Sequence, residues 1–455
     1  MEPSSLRNLI ALMFCLLLYT QTQATNPTFN SDEIRKRVEK MELIVAPRYT
    51  TVVEGYVKKY LAYKGGAAKR IMGRSAIYFP IFDQYLKEHG MPADLKYLAI
   101  VESALVPKAV SPVGAGGLWQ FMAQTGRLFD LEINGEVDER ACAHRSTLAA
   151  IKYLEGLYER YNSWELALAA YNCGAGNINR AIKRARTDNY WALSNVLPRE
   201  TRNFVPAFIG AAYIANYFHL HEIEPESPSL DLQITEAFMV FDKIELDTIA
   251  AITGLPLFVI EQLNQSFKKN HVPESERGYY VVLPRRTIPS LKEYLGLLRP
   301  DGGDPVEMPE LPPVPDSSEY IPEAYYFRSV YTVAEGDELD KLAASFNCSA
   351  YNLIFWNNLT SSHLSKKQEL IVWFPKEMHH FLPQPEKIEV EPEVQHLKKL
   401  APPKKIPVLK TEVVPVTPLP APLPTIVQEE KTVQPFRLSQ LPQIKAPLIL
   451  RKSAK

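Results

Sequence analysis

A single carboxylate, Glu102, stands in the run LAIVESALVP, which is otherwise apolar or small. Leu95, Leu98, Ala99 and Glu102 fall at i, i+3, i+4 and i+7, so a helix beginning near Asp94 puts the carboxylate on the face that carries the apolar residues. Such surroundings disfavour the charged form, raise the pKa and keep a proton available near neutral pH, which suits a general acid. On this helix alone a second reading stays open, a buried glutamate paired with an arginine or capping a neighbouring helix.

Two further stretches bear on the choice. Pro107 and Ser111-Pro112 end the helix, and the glycines of GAGG, Gly114 to Gly117, leave backbone free for a ligand just before LWQFM. In AYNCGAGNINRAI, Tyr171 and Asn172 come at the end of one helix, with Gly174 and Gly176 in a tight turn before the next. A flat ring and a carboxamide suit the amide and hydroxyls of a sugar, although a plain helix end with an incidental Asn fits equally.

The elements that must position these groups follow from periodicity. From about 31 to 221, stretches such as STLAAIKYLEGLYERY and SWELALAAYN repeat apolar residues every three or four positions, with Ser146 and Ser163 placed as N-caps. An all-α unit is expected over 25–225. After Pro225 the texture turns to short β-branched and aromatic runs, and a repeat emerges: ELDTIAA at 245–251 matches ELDKLAA at 338–344. The same offset superposes Phe258 on Tyr351, Ile260 on Leu353 and Asn264 on Asn357. Each copy is preceded by a strand-like run (AFMVF; SVYTV) and followed by another ending in proline (YYVVLP; LIVWFP), so two small βααβ modules are expected over 226–298 and 324–377. Between them, 299–323 is an acidic, Pro-rich linker, and 378–455 has the composition of a disordered tail.

The 455 residues hold 51 Lys plus Arg against 52 Asp plus Glu, so no charge excess points to nucleic acid. Arg7, the apolar run LIALMFCLLLY and TQTQA predict a signal peptide over 1–24, cleaved after Ala24. The run is short for a retained membrane anchor. Phe14 before Cys15 disfavours lipidation. Cys142, Cys173 and Cys348 form no disulfide framework; one Cys142–Cys173 bridge stays open, with free buried thiols the expectation. The nine histidines are scattered with no H-E-x-x-H run, so no metal is expected. Nothing places a His, such as His144 or His219, beside Cys173 as a cysteine peptidase requires.

ES at Glu102-Ser103, SPVGAGGLWQFM from Ser111, AYNCGAGNI from Ala170 and LPRETRNFVP from Leu197 resemble, in order and spacing, the motifs of the lytic murein transglycosylases of the Slt lysozyme-like family, and within it the membrane-bound D group. The resemblance covers about 85–220. The two modules resemble LysM domains, which bind N-acetylglucosamine chains; the copy with YTVAEGDELDKLAASFN and WNNL matches well, while the earlier copy lacks the Gly-Asp turn.

The resemblance implies a multidomain protein, with an all-α lysozyme-like catalytic domain, α+β LysM-type modules and a disordered tail. It implies export to a bacterial periplasm or envelope, peptidoglycan glycan strands as partner, a monomer, no cofactor and no nucleic acid; peripheral association with the membrane or envelope is compatible with it. Glu102 would protonate the glycosidic oxygen between N-acetylmuramic acid and N-acetylglucosamine, then take the proton of the muramic C6 hydroxyl, which closes on C1 to leave a 1,6-anhydro end. Ser103, Ser111, Gly117, Gln120, Met122, Tyr171 and Asn172 would line the substrate site. Phe204 departs from the pattern: relatives commonly carry a Tyr there whose hydroxyl orients the glutamate, so either another donor such as Tyr171 substitutes or activity is reduced. A muramidase would need a second carboxylate, with Asp130, Glu132 and Asp138 in question. A non-catalytic LysM wall-binding protein is the remaining alternative.

Overall fold

The computed structural model describes residues 29–297, 320–376 and 395–396. The expected signal peptide, most of the linker and nearly all of the tail lie outside the described residues.

The first unit is helical, as its periodicity implies. Its centre is the helix Arg199–Tyr217, in which every residue from Phe204 to Ile214 is buried. A helix apolar on all sides belongs inside a bundle. It packs along the helix Thr51–Glu88, and Gly210 is required at the crossing, because a Cβ there would come within 2.8 Å of the Tyr56 Cβ. Pro206 interrupts the helix ladder by withdrawing the donor that would reach Arg202 O. The Tyr190 hydroxyl donates to that carbonyl at 2.8 Å, which restores the missing bond.

The helices Ala143–Tyr161, Trp164–Cys173 and Ala175–Ala185 pack one against the next, and the second of them also packs against Arg199–Tyr217. Ser163 caps the second of these, its hydroxyl accepting from Leu166 N. Ser146 does not cap the first. That helix begins at Ala143, one turn before the expected start, and the Ser146 hydroxyl donates back to Cys142 O at 2.6 Å from inside it. A serine that bonds back to the preceding turn no longer marks a helix start.

Both βααβ modules form. In the first, Thr235–Val240 pairs antiparallel with Tyr279–Pro284 around the helices Leu246–Thr253 and Leu257–Leu263. In the second, Tyr326–Thr332 pairs with Glu369–Pro375 around Leu339–Ser345 and Ala350–Trp356. The repeated asparagine explains part of the likeness. Asn264 donates to Val282 O and accepts from Val282 N, both at 2.8 Å. Asn357 does the same to Ile371, at 2.9 and 2.6 Å. Each carboxamide ties the end of the second helix to the last strand of its module.

The modules are not beads on a string. The buried Asp231 carboxylate, just ahead of the first strand of the first module, receives the Arg286 guanidinium from that module and the Tyr326 hydroxyl from the second, at 2.8 Å each. Tyr351 of the second module packs edge-on against Phe79 of the long helix.

Candidate active site

The helix that carries Glu102 runs from Lys96 to Ser103 after a 3-10 turn at Ala93–Leu95, and Leu95, Leu98 and Ala99 are buried as the spacing requires, with Ile100 buried beside them. It stops abruptly. Ala104 and Leu105 both take positive φ, 52° and 61°, and their N–H groups return to Ile100 O and Ala99 O. Left-handed backbone at two side-chain-bearing residues is strained. That strain ends the helix one residue after the Glu102-Ser103 pair.

Glu102 is half-buried there. Burial pushes its carboxyl pKa up to about 8, and the negative charge of Glu200 pushes in the same direction. Glu200 is exposed, in the first turn of Arg199–Tyr217. It lay within the RETRNFVP motif but was not among the expected site residues, because nothing in local periodicity brings the start of that helix to Glu102.

Ser103 is turned inward. Its hydroxyl lies 2.8 Å from Leu118 O and 3.1 Å from Ala99 O, which staples the helix to the LWQF segment. The loop ahead of LWQF is folded by its own polar groups. Ser111 Oγ accepts from Ala115 N at 3.0 Å, and Gln120, at φ 48°, donates its amide to Ala109 O and Gly117 O at 3.0 and 2.9 Å. Gly117 sits against backbone: a Cβ on it would meet Arg140 O at 1.9 Å. Met122 is 44% exposed, and the neighbouring Val110 and Val113 are more so, which leaves an apolar rim.

On the facing wall Tyr171 and Asn172 close the helix Trp164–Cys173, which ends at Gly174 with φ 84°. Gly176 lies within the next helix rather than in the turn. The Tyr171 hydroxyl donates to Trp119 O at 2.7 Å. Burial and the nearby Glu102 charge both push its pKa up. Asn172 accepts from Thr201 Oγ1 at 2.8 Å and its amide lies 3.5 Å from Glu200 Oε1. Phe204 is 5% exposed, within the core. The Tyr171 hydroxyl, named as a substitute for the one missing at 204, is thus turned to Trp119 O.

The carboxylates raised for a second catalytic role are engaged elsewhere. Asp138 pairs with Arg140 at 2.8 Å, Glu132 accepts from Tyr279 at 2.9 Å, and Asp130 pairs with Lys152 at 3.1 Å. Cys142, Cys173 and Cys348 are free, and burial pushes the Cys173 thiol up, away from a reactive thiolate.

Against this geometry the matches to known families are consistent along the chain. Residues 79–194 match the transglycosylase SLT domain, 234–299 the LysM-like domain of lytic transglycosylase MltD, and 331–373 the LysM domain. The chain thus carries an SLT transglycosylase domain followed by two LysM-type modules.

Among particular proteins, it is 28% identical over 293 residues to membrane-bound lytic murein transglycosylase D of Escherichia coli strain K12, covering 63% of this chain and 61% of that one. It therefore spans about three fifths of that relative's length. A putative tributyltin chloride resistance protein of Alteromonas sp. strain M-1 is 31% identical over 102 residues, 22% of this chain and 49% of that one. Among solved structures, the 70 kDa soluble lytic transglycosylase SLT70 of Escherichia coli matches at 27% identity and a TM-score of 0.27, covering 30% of this chain and 24% of that one.

Proposed function

We propose that this chain is a peptidoglycan lytic transglycosylase of the bacterial envelope, cleaving the β-1,4 bond between N-acetylmuramic acid and N-acetylglucosamine without water. The observation that carries the reading is Glu102, a half-buried carboxyl at a strained helix end whose pKa burial raises to about 8. Such a group enters the reaction protonated and can act as acid.

Glu102 gives its proton to the glycosidic oxygen as the C1–O bond breaks, and the substrate's own N-acetyl group steadies the cationic centre. Glu102, now a carboxylate, removes the proton of the muramic C6 hydroxyl, whose oxygen bonds to C1. The proton count closes and no water is consumed, so the products are a 1,6-anhydro end and a free 4-hydroxyl. Ser111, Gly117, Gln120 and Met122 form one wall of the site, and Tyr171 and Asn172 the other. Ser103 supports the wall from behind through Leu118 O. The LysM module at 324–377 holds N-acetylglucosamine chains.

A muramidase would add water at C1 instead, and Glu200 is the carboxylate whose charge reaches Glu102. Mass spectrometry of a glycan digest separates the two: anhydro ends lack the mass of one water relative to reducing ends. Glu102→Gln is expected to abolish cleavage, and undiminished cleavage by that variant would overturn the assignment and favour a wall-binding protein.

A further inference from the structure

The first LysM-type module is fused to the cleft rather than appended to the domain. The helical domain extends a hairpin around Asn134-Gly135, in which Asn134 Oδ1 accepts from Glu136 N and Val137 N at 2.8 and 2.7 Å. Its outer arm pairs with the module: Lys268 N donates to Glu136 O at 2.7 Å, Asp138 N donates to Ser266 O at 2.8 Å, and Val137 bridges Phe267. Val137, wholly buried, is part of the module's own core with Phe267 and Tyr279. Side chains lock the seam. Arg277 donates to Glu139 Oε2 at 2.9 Å and Asp130 O at 3.0 Å, and the Tyr279 hydroxyl donates to Glu132 at 2.9 Å.

The next residue after this seam faces the cleft loop. Arg140 is fixed to Asp138 by two bonds, at 2.9 and 2.8 Å. Its remaining nitrogen, Nη1, donates to Gly114 O at 2.9 Å and Phe121 O at 3.1 Å. Those two carbonyls bracket the stretch that contains Gly117 and Gln120. A Cβ on Gly116 would lie 2.8 Å from the Arg140 guanidinium carbon, so the loop is shaped to receive this side chain.

We propose that the first module, within 234–297, acts as a brace for the cleft, with the hairpin and Arg140 as the positioning link that holds the Ser111–Phe121 loop opposite Glu102. The module's lost Gly-Asp turn fits a part kept for support rather than for sugar. The catalytic consequence rests on the reading of the cleft given above, while the mechanical link does not.

The test uses the full chain with Arg140→Ala, Arg140→Lys and Arg277→Ala. Amide hydrogen exchange over 111–121 is measured by mass spectrometry, with the helix Arg199–Tyr217 as folding control, alongside kcat and KM on short soluble glycan fragments and pelleting with insoluble sacculi. Expected are exchange over 111–121 faster by about tenfold in both alanine variants and kcat lower by about tenfold with KM nearly unchanged. Arg140→Lys should recover part of both, and Arg140→Ala combined with Arg277→Ala should be no worse than Arg140→Ala alone. Unchanged exchange over 111–121 in Arg277→Ala, or a loss confined to sacculus pelleting, overturns the brace. Should Arg277→Ala unfold, Tyr279→Phe removes only the hydroxyl donated to Glu132 and reads the same link. Exchange needs no turnover, so a wild-type chain inactive on glycan would refute the reaction and not the link.

Discussion

The Tyr171 hydroxyl donates to the Trp119 carbonyl at 2.7 Å, joining the two walls that flank Glu102. Phe204 fills a core position with a ring that carries no polar atom. Neither residue turns a hydroxyl to the glutamate: the one at 171 is spent on Trp119 O, and position 204 has none.

From this follows a gain of function. Phe204→Tyr is expected to raise kcat about threefold to tenfold, the effect of roughly one added hydrogen bond on the glutamate. Tyr171→Phe should instead lower kcat and destabilise by about 1 kcal/mol, because Trp119 O is left without its donor. Steady-state turnover on soluble glycan and a denaturant titration check both. No gain from Phe204→Tyr would show that the glutamate is already held as firmly as the reaction needs.

The raised carboxyl of Glu102 has a signed effect on stability. Its ordinary value is 4.5 and its folded value is about 8. At pH below the lower value both states carry the proton and the group is neutral to stability. Between the two values the folded state keeps a proton that the unfolded state has released, so stability falls as pH rises through this window. Glu102→Gln should therefore stabilise the protein at pH about 9, by at most about 5 kcal/mol, and do little at pH about 4. Calorimetry of both proteins across pH reads this without any substrate. In the wild type, cleavage should decline above pH about 8 as the acid is lost.

A third prediction concerns the contact between the C-terminal module and the helical domain. The Tyr351 hydroxyl and Ser75 Oγ lie 2.7 Å apart, and the Tyr351 and Phe79 ring centroids lie 5.2 Å apart. Tyr351→Ala should cost about 2 kcal/mol and release the module, seen as a larger radius of gyration in small-angle X-ray scattering. An unchanged scattering curve would mean that Asp231 and its partners hold the module alone.

Asp231 offers the sharper stability test. It and Arg286 have fully buried side chains 2.8 Å apart, and Trp356 Nε1 donates to the adjacent Gln233 at 2.9 Å. Removing one charge of a buried pair strands the other, so Asp231→Asn should cost about 3–5 kcal/mol. Glu338→Gln breaks only the exposed pair with Lys341 and should cost about 0.5 kcal/mol or less. Equal effects of the two variants in thermal denaturation would contradict the burial of the Asp231 cluster.

Much of this was legible before any coordinate. Apolar spacing marked the helix of Glu102, and short β-branched and aromatic runs marked Thr235–Val240, Tyr279–Pro284, Tyr326–Thr332 and Glu369–Pro375. The matched asparagines 264 and 357 marked the repeat, because a carboxamide that ties helix to strand is needed in each copy. Where a side chain has two local uses, spacing failed: Ser146 looks like a cap and is a back-bonded residue within the helix.

By itself, then, the sequence determined the element types, the repeat and the isolation of one carboxylate among apolar neighbours, since each depends on residues within a turn or two of one another. The tertiary structure decided what surrounds that carboxylate. Glu200 reaches Glu102 from a helix about a hundred residues on, Tyr171 spends its proton on Trp119, and the degenerate LysM-like module grips the hairpin ahead of Arg140. Desolvation and hydrogen-bond partners are set by which distant surfaces meet, and periodicity carries no record of that.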